Sequence, residues 1–178
     1  MQQSDKKPAD QTVFLDEKAQ DFVASVGESL AKQDNLDAAL SHVMDSLTAF
    51  LGVEALSIFV VDKPDGDLVL KYATGEVKAE VIGLRLKSGQ GIVGWVVQYC
   101  EDLIVPYPGL DARFFDEVDS HTGFSTRSIL CSPLRVDGHA IGAIEVLNKI
   151  EGTFNDDDLV LLRAVARLVA GVITTATV

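Results

Sequence analysis

The chain has 178 residues, with 27 acidic and 15 basic side chains and a formal charge of −12. That charge excludes a nucleic-acid-binding surface and docking on anionic lipid, both of which need clustered cations. Hydrophobic residues make up 47 %, enough for one domain with a sizeable core and too many for a disordered chain. Every apolar run of bilayer-spanning length is broken by charge, and the start, Met-Gln-Gln-Ser-Asp-Lys-Lys, lacks the apolar stretch of a secretory signal. With only Cys100 and Cys131, far apart in sequence, the composition points to a reducing, cytoplasmic setting.

Residues 1–12 are polar and read as a disordered tail, leaving 13–178 as a single domain. A first helix carries a narrow stripe of Leu15, Ala19, Phe22, Val23, Val26 and Leu30, suited to packing on another helix. A second opens at Asp34-Asn35 as N-caps and stops at Gly52. Its wider stripe, from Leu36 through Leu40, Val43, Met44 and Leu47 to Leu51, suits a helix lying on a sheet. Residues 55–61 and 68–73 then read as a hairpin across Lys63-Pro64-Asp65-Gly66-Asp67. A short strand at 84–86 leads through Ser88-Gly89-Gln90-Gly91 into a short helix, 92–99.

Residues 103–126 read as irregular, because Pro106, Pro108 and Gly109 interrupt them. A second hairpin joins 127–136 to 140–147 across Asp137-Gly138, a pair that tolerates positive φ at both positions. Pro133 predicts an edge or a bulge. The last helix begins after Phe154, capped by Asn155, with Asp156, Asp157 and Asp158 in its first turn. Apolar residues cover most of its circumference, and only Arg163 and Arg167 mark a polar stripe. Such a helix is buried on two sides, by its own sheet and either by a partner subunit, the simplest expectation, or by the first helix of the same chain. Hairpins between terminal helices make an α+β domain on an antiparallel sheet.

Several groups bear on chemistry. Gly89-Gln90-Gly91-Ile92-Val93-Gly94 fits G-x-G-x-x-G, but a dinucleotide site needs a parallel βαβ unit, and hairpins surround this one. The simpler reading is a tight turn into a helix N-terminus, whose free N–H groups can meet an anion. His42, His121 and His139 lack metal-ligand spacing, so no metal site is expected. Cys131 reads as inert core, whereas Cys100 ends a helix and could be exposed. Glu145 stands mid-strand among Ala143, Ile144, Val146 and Leu147. Either it lies on a solvated face, or it is buried and needs donors that a ligand such as a purine could bring. Residues 119–126, Asp-Ser-His-Thr-Gly-Phe-Ser-Thr, are dense in small polar groups that can orient a ligand or cap their own loop. Lys149 can pair with Asp157 or Asp158.

Taken together, Ser88 to Trp95, Asp111-Ala112-Arg113-Phe114, Gly123 to Leu134, and Ile141 to Lys149 closing on Phe154 and Asp158-Leu159 resemble the GAF domain family. Within it they resemble the domains of cyclic-nucleotide phosphodiesterases and adenylyl cyclases. The resemblance covers residues 20–175 and implies a central antiparallel sheet with terminal helices on one face and a ligand pocket on the other. It implies a non-catalytic sensory module that binds a small molecule such as cyclic AMP or cyclic GMP and requires no cofactor. It also implies a homodimer formed through terminal helices, acting on an output domain or partner protein. Ser57, Ile92, Val93, Asp119, Thr122, Thr126 and Glu145 stand at ligand-contacting positions, with Ile92 and Val93 offering backbone N–H to a cyclic phosphate. Asn148, Lys149, Phe154 and Asp158 match a motif that supports the pocket, although Leu159 replaces its final acid. Ala73-Thr74 stands where an aromatic–acid pair often holds the base, and Val105-Pro106-Tyr107 lacks the usual aspartate. The alternatives from other classes are an interaction module with an empty pocket and a thiol reductase using Cys100 and Cys131.

Overall fold

A computed structural model describes residues 14–32 and 35–176, so the expected tail at 1–12 and the cap Asp34 lie outside the described residues. The chain runs through α1 (Glu17–Lys32), α2 (Leu36–Leu51), β1 (Val53–Val61), β2 (Leu68–Ala73), α3 (Lys78–Val81), β3 (Arg85–Leu86) and α4 (Gly91–Tyr99). It continues through β4 (Leu103–Val105), a 3-10 turn (Pro108–Leu110), α5 (Glu117–Thr122), β5 (Ile129–Val136), β6 (His139–Lys149) and α6 (Asp156–Ala176). The strands form one sheet in the order β3-β2-β1-β6-β5-β4, and every neighbouring pair is antiparallel.

Side chains alternate across the pleat, and the two faces carry different cores. Leu56, Ile58, Leu130, Ile144 and Val146 meet Leu40, Met44, Leu47, Leu162, Val165 and Val169 of α2 and α6. On the other face Phe59, Leu70, Ile129, Cys131 and Ala143 meet Ile92, Val93 and Val96 of α4. Ser57 and Glu145 are register partners on β1 and β6, in phase with this second set.

Local chemistry sets the ends of the elements. Asn35 Oδ1 accepts the Ala38 N–H at 3.2 Å, and Gly52 closes α2 in the left-handed region. Asp137 and Gly138 both take positive φ, as the hairpin requires. Pro133 lies beyond the last β4 partner, Cys131, and the register with β6 shifts between Pro133 and Arg135. Asn155 and Asp158 cap α6 reciprocally, Asn155 Oδ1 accepting the Asp158 N–H at 3.0 Å and Asp158 Oδ2 accepting the Asn155 N–H at 3.1 Å.

One expectation is corrected, and one open choice gains an observation. The segment 103–126 is not irregular: β4 pairs with β5 before Pro106, and α5 forms a short helix closed by Gly123 at φ 75°. The prolines only separate these pieces. One apolar side of α6 packs on α1 of the same chain, the covering that the sequence offered beside a partner subunit. Leu168 of α6 comes within 3.9 Å of where a Cβ would sit at Gly27 of α1. The narrow stripe of α1, with Ala19 and Val26 buried, supplies the surface that α6 needs. Among the described residues no helix is long and apolar enough to cross a membrane.

Candidate functional site

On the sheet face away from α6 lies a cavity of about 90 Å³. Its floor comes from β1, β2 and β6, with Ser57, Phe59, Leu70, Glu145 and Leu147. One wall is the first turn of α4, with Gly91, Ile92 and Val93. The segment 114–126 covers it with Phe114, Phe115, Val118, Asp119, Thr122, Phe124 and Thr126. All seven residues expected at ligand-contacting positions therefore border one space.

The wall explains the glycine spacing. Gly89 and Gly91 take φ of 77° and 73°, and a Cβ at Gly94 would lie 2.5 Å from the Gly89 carbonyl carbon. The three glycines fold a turn back against its own helix, and no parallel strand pair is present in the described sheet to make a dinucleotide site. The Gln90 side chain does not cap α4, since its Oε1 instead accepts the Lys87 N–H at 2.9 Å. Among the described residues the N-cap side chain thus leaves the first-turn N–H groups beside the cavity uncapped.

The polar groups differ in how far they are satisfied. Asp119 accepts Thr126 N–H at 2.6 Å and Thr126 Oγ1–H at 2.7 Å. Thr122 Oγ1 donates to the Val118 carbonyl at 2.8 Å and accepts the Phe124 N–H at 3.2 Å. These are local bonds of the lid. Thr74, at the expected departure, also borders the cavity, but its hydroxyl accepts the Leu56 N–H at 3.0 Å. No donor among the described residues reaches the Glu145 carboxyl. Burial pushes this group up to about 7, and the charge of Asp119 adds to the effect. Glu145 is half-buried by area because its open side faces the cavity. Of the two sequence readings, the buried one holds.

Asn148, Lys149, Phe154 and Asp158 do not border the cavity; they fasten its frame. Asn148 is fully buried at φ 60°, a conformation asparagine tolerates. Its Oδ1 accepts the N–H groups of Arg127 (2.6 Å) and Ser128 (3.2 Å). Its Nδ2 donates to Glu54 Oε2 (2.7 Å) and the Ser125 carbonyl (2.8 Å). Lys149 Nζ donates to Asp158 Oδ1 at 2.6 Å and sits 5.8 Å from the Phe154 ring centre.

The sequence reading missed Glu54, which holds both Asn148 and Arg127. Its only signal was one acid at the start of an apolar strand. It also missed Asp102, which accepts from Ser132 of β5 and from Arg163 of α6, the latter at 3.0 Å to Nε. Cys131 is fully buried, and burial pushes its thiol well above the ordinary value. Both cysteines are free and neither borders the cavity.

A model of the GAF domain matches residues 35–173. The chain belongs to the GAF domain family. Among its relatives, the probable 3',5'-cyclic phosphodiesterase pde-5 of Caenorhabditis elegans is 28 % identical over 87 % of this chain and 23 % of its own length. The dual 3',5'-cyclic-AMP and -GMP phosphodiesterase 11A of Takifugu rubripes is 38 % identical over 42 % of this chain and 9 % of its own length. This GAF domain thus spans under a quarter of the curated relatives it matches. Among solved structures, the GAF domain of a phosphoenolpyruvate-protein phosphotransferase from Coxiella burnetii superposes with a TM-score of 0.82, at 22 % identity, covering 89 % of this chain and 94 % of that one. The free methionine-R-sulfoxide reductase of Neisseria meningitidis, in complex with its substrate, gives 0.75 at 18 % identity, covering 92 % and 95 %. At these identities the likeness is one of fold.

Proposed function

We propose that this GAF domain is a non-catalytic sensory module that binds a small molecule, a cyclic nucleotide by preference, behind the 114–126 lid. The observation that carries this reading is the Glu145 carboxyl, which faces the cavity without a donor among the described residues. A ligand with N–H or O–H groups supplies what the fold does not. The uncapped first turn of α4 supports an anion at Ile92 and Val93, and Ser57, Asp119, Thr122 and Thr126 border the remaining space. The phosphodiesterase relatives support the choice of cyclic AMP or cyclic GMP. Cavities that hold drug-sized ligands measure roughly 300–1,000 Å³. Entry of a nucleotide into about 90 Å³ therefore requires the lid to move outward. Two free thiols suit a reducing, cytoplasmic setting. The terminal helices then carry the change to a second copy or to an output domain.

The same small volume favours a second reading, an interaction module whose pocket stays empty. Thiol chemistry at the cavity has no support in the geometry, because neither cysteine borders it. Melting temperature with and without millimolar cyclic AMP and cyclic GMP separates the first two readings. A ligand bound only by the folded state raises it by mass action. The sensory reading expects a rise that Glu145→Ala and Thr126→Ala remove. No rise with either nucleotide overturns it.

A further inference from the structure

The chain has two Asp-Gly pairs, Asp65-Gly66 between β1 and β2 and Asp137-Gly138 between β5 and β6. Both aspartates are exposed, and both glycines take positive φ, 76° and 81°. In each pair the carboxyl carbon stands one five-membered ring away from a peptide nitrogen that no neighbouring Cβ shields.

Their bonding differs. At the first turn the Gly66 N–H donates to the Asp62 carbonyl at 2.8 Å. Asp65 Oδ1 accepts the Asp67 N–H at 3.1 Å, and Arg85 Nη2 reaches Oδ1 at 3.3 Å and Oδ2 at 3.1 Å. At the second turn, among the described residues, no hydrogen bond or ion pair engages the Gly138 N–H or the Asp137 carboxyl. Asp137 also stands at φ 48°, a region that costs any residue with a side chain. The tip of this hairpin is short. Beyond the register shift at Pro133/Arg135 it is held by two pairs, Arg135↔Ala140 and Val136↔His139. A tip past such a break opens without the rest of the sheet.

We propose that Asp137 is a site of spontaneous isomerisation, where the chain converts to an isoaspartyl linkage through a cyclic imide, and that Asp65 is protected from the same reaction. The Gly138 nitrogen attacks Asp137 Cγ. An N–Cγ bond forms, the N–H proton and the carboxyl O–H leave together as water, and a five-membered imide results. Water then adds to either imide carbonyl. Cleavage of the N–Cγ bond restores aspartate. Cleavage between the Gly138 nitrogen and the Asp137 main-chain carbonyl carbon leaves the chain running through Cγ. One water is lost and one is regained, so no other reactant is needed. Ring closure turns the Asp137 main chain out of its place in the turn. Once the tip opens, that motion breaks no bond of Asp137 or Gly138. At Asp65 it gives up the Gly66 bond and the bonds from Asp67 and Arg85, which slows the reaction about tenfold.

The product adds one main-chain atom to a two-residue turn, so Val136↔His139 and Arg135↔Ala140 cannot both keep register. Arg135 Nη2 donates to the Cys100 carbonyl at 2.8 Å, so the change reaches the connection between α4 and β4. The reaction is independent of what the cavity binds.

The test ages the full chain in heavy-oxygen water at mildly acid pH, well below its melting temperature, beside synthetic peptides copying residues 62–70 and 133–142. Digestion in ordinary water then locates the heavy oxygen that imide hydrolysis leaves, and fragmentation at main-chain N–Cα bonds separates isoaspartate from aspartate. Label and isoaspartate are expected at position 137 about tenfold faster than at 65, while the two peptides react at similar rates. Arg85→Gln, a surface change, raises the rate at 65 about fivefold and leaves 137 unaltered. A ratio below about threefold in the folded chain overturns the inference. So does reaction at 137 more than about a hundredfold slower in the folded chain than in its peptide, which makes the turn itself the protection. An unchanged rate at 65 in Arg85→Gln overturns the protection assigned to Asp65.

Discussion

Glu145 and Asn148 lie three residues apart on β6, and their surroundings are opposites. Asn148 uses its side-chain oxygen twice and its amide nitrogen twice, all within the chain. Glu145 receives no donor among the described residues, and burial pushes its carboxyl up to about 7. Both are polar groups taken out of bulk water, so both cost free energy unless satisfied. At Asn148 the fold settles the cost itself, and the residue ties residues 125–128 and Glu54 to the end of the sheet. At Glu145 it is left open. A saturated polar group marks architecture; an unsaturated one beside a cavity marks a place where something from outside completes the structure.

The largest expected effect comes from removing the saturated member. Asn148→Ala strands the Arg127 and Ser128 N–H groups and forces alanine into φ 60°. Loss of about 4 kcal/mol is expected, read as a lower denaturant midpoint. If the loss stays below about 1 kcal/mol, Asn148 is not the anchor its bonds imply.

Glu145→Gln should act in the other direction, and its effect should depend on pH. The folded-state value of about 7 lies above the ordinary glutamate value of 4.5. Stability from this group is therefore complete below about pH 4.5 and is lost as pH rises through 7. Glutamine has no charge to lose. The variant should match the unaltered protein at pH 4.5 and exceed it by about 3 kcal/mol at pH 8.5, in denaturation series at both values. Equal stability at both would show Glu145 ionised at no cost, and the contrast with Asn148 would collapse.

The smallest effect belongs to the lid. Thr126→Val removes the 2.7 Å hydroxyl bond to Asp119 but keeps the backbone bond at 2.6 Å. A loss of about 1 kcal/mol in global stability is expected, with faster amide exchange confined to residues 117–126. Exchange that quickens equally in α1 and α6 would show that the lid is not an independent unit.

Much of the frame is readable from local pattern. Asp137-Gly138 specifies its turn through two positive φ values, Asn35 and Gly52 bracket α2, and Pro133 marks the break in register. The grouping of seven residues around one cavity came from motif resemblance, because they are scattered from position 57 to 145 and periodicity cannot join them. What stayed hidden is what only packing decides. The sequence cannot show that α1, with its narrow stripe, lies along α6 of its own chain. β4 has three residues and owes its existence to the neighbouring strand. Whether Glu145 faced water or protein was open, since one acid in an apolar strand fits either.

Helix α6 carries two ion pairs near its start. Asp158 holds both its cap and Lys149, Arg163 in the next turns holds Asp102, and Val165 and Val169 pack into the core. A rod of 21 residues at about 1.5 Å per residue is roughly 30 Å long. Turned by ~5° about its pinned end, it sweeps its far end through ~2.6 Å. Were the two ion pairs to act as a fulcrum, a small tilt would become, at the far end of α6, about half the pitch of a helix.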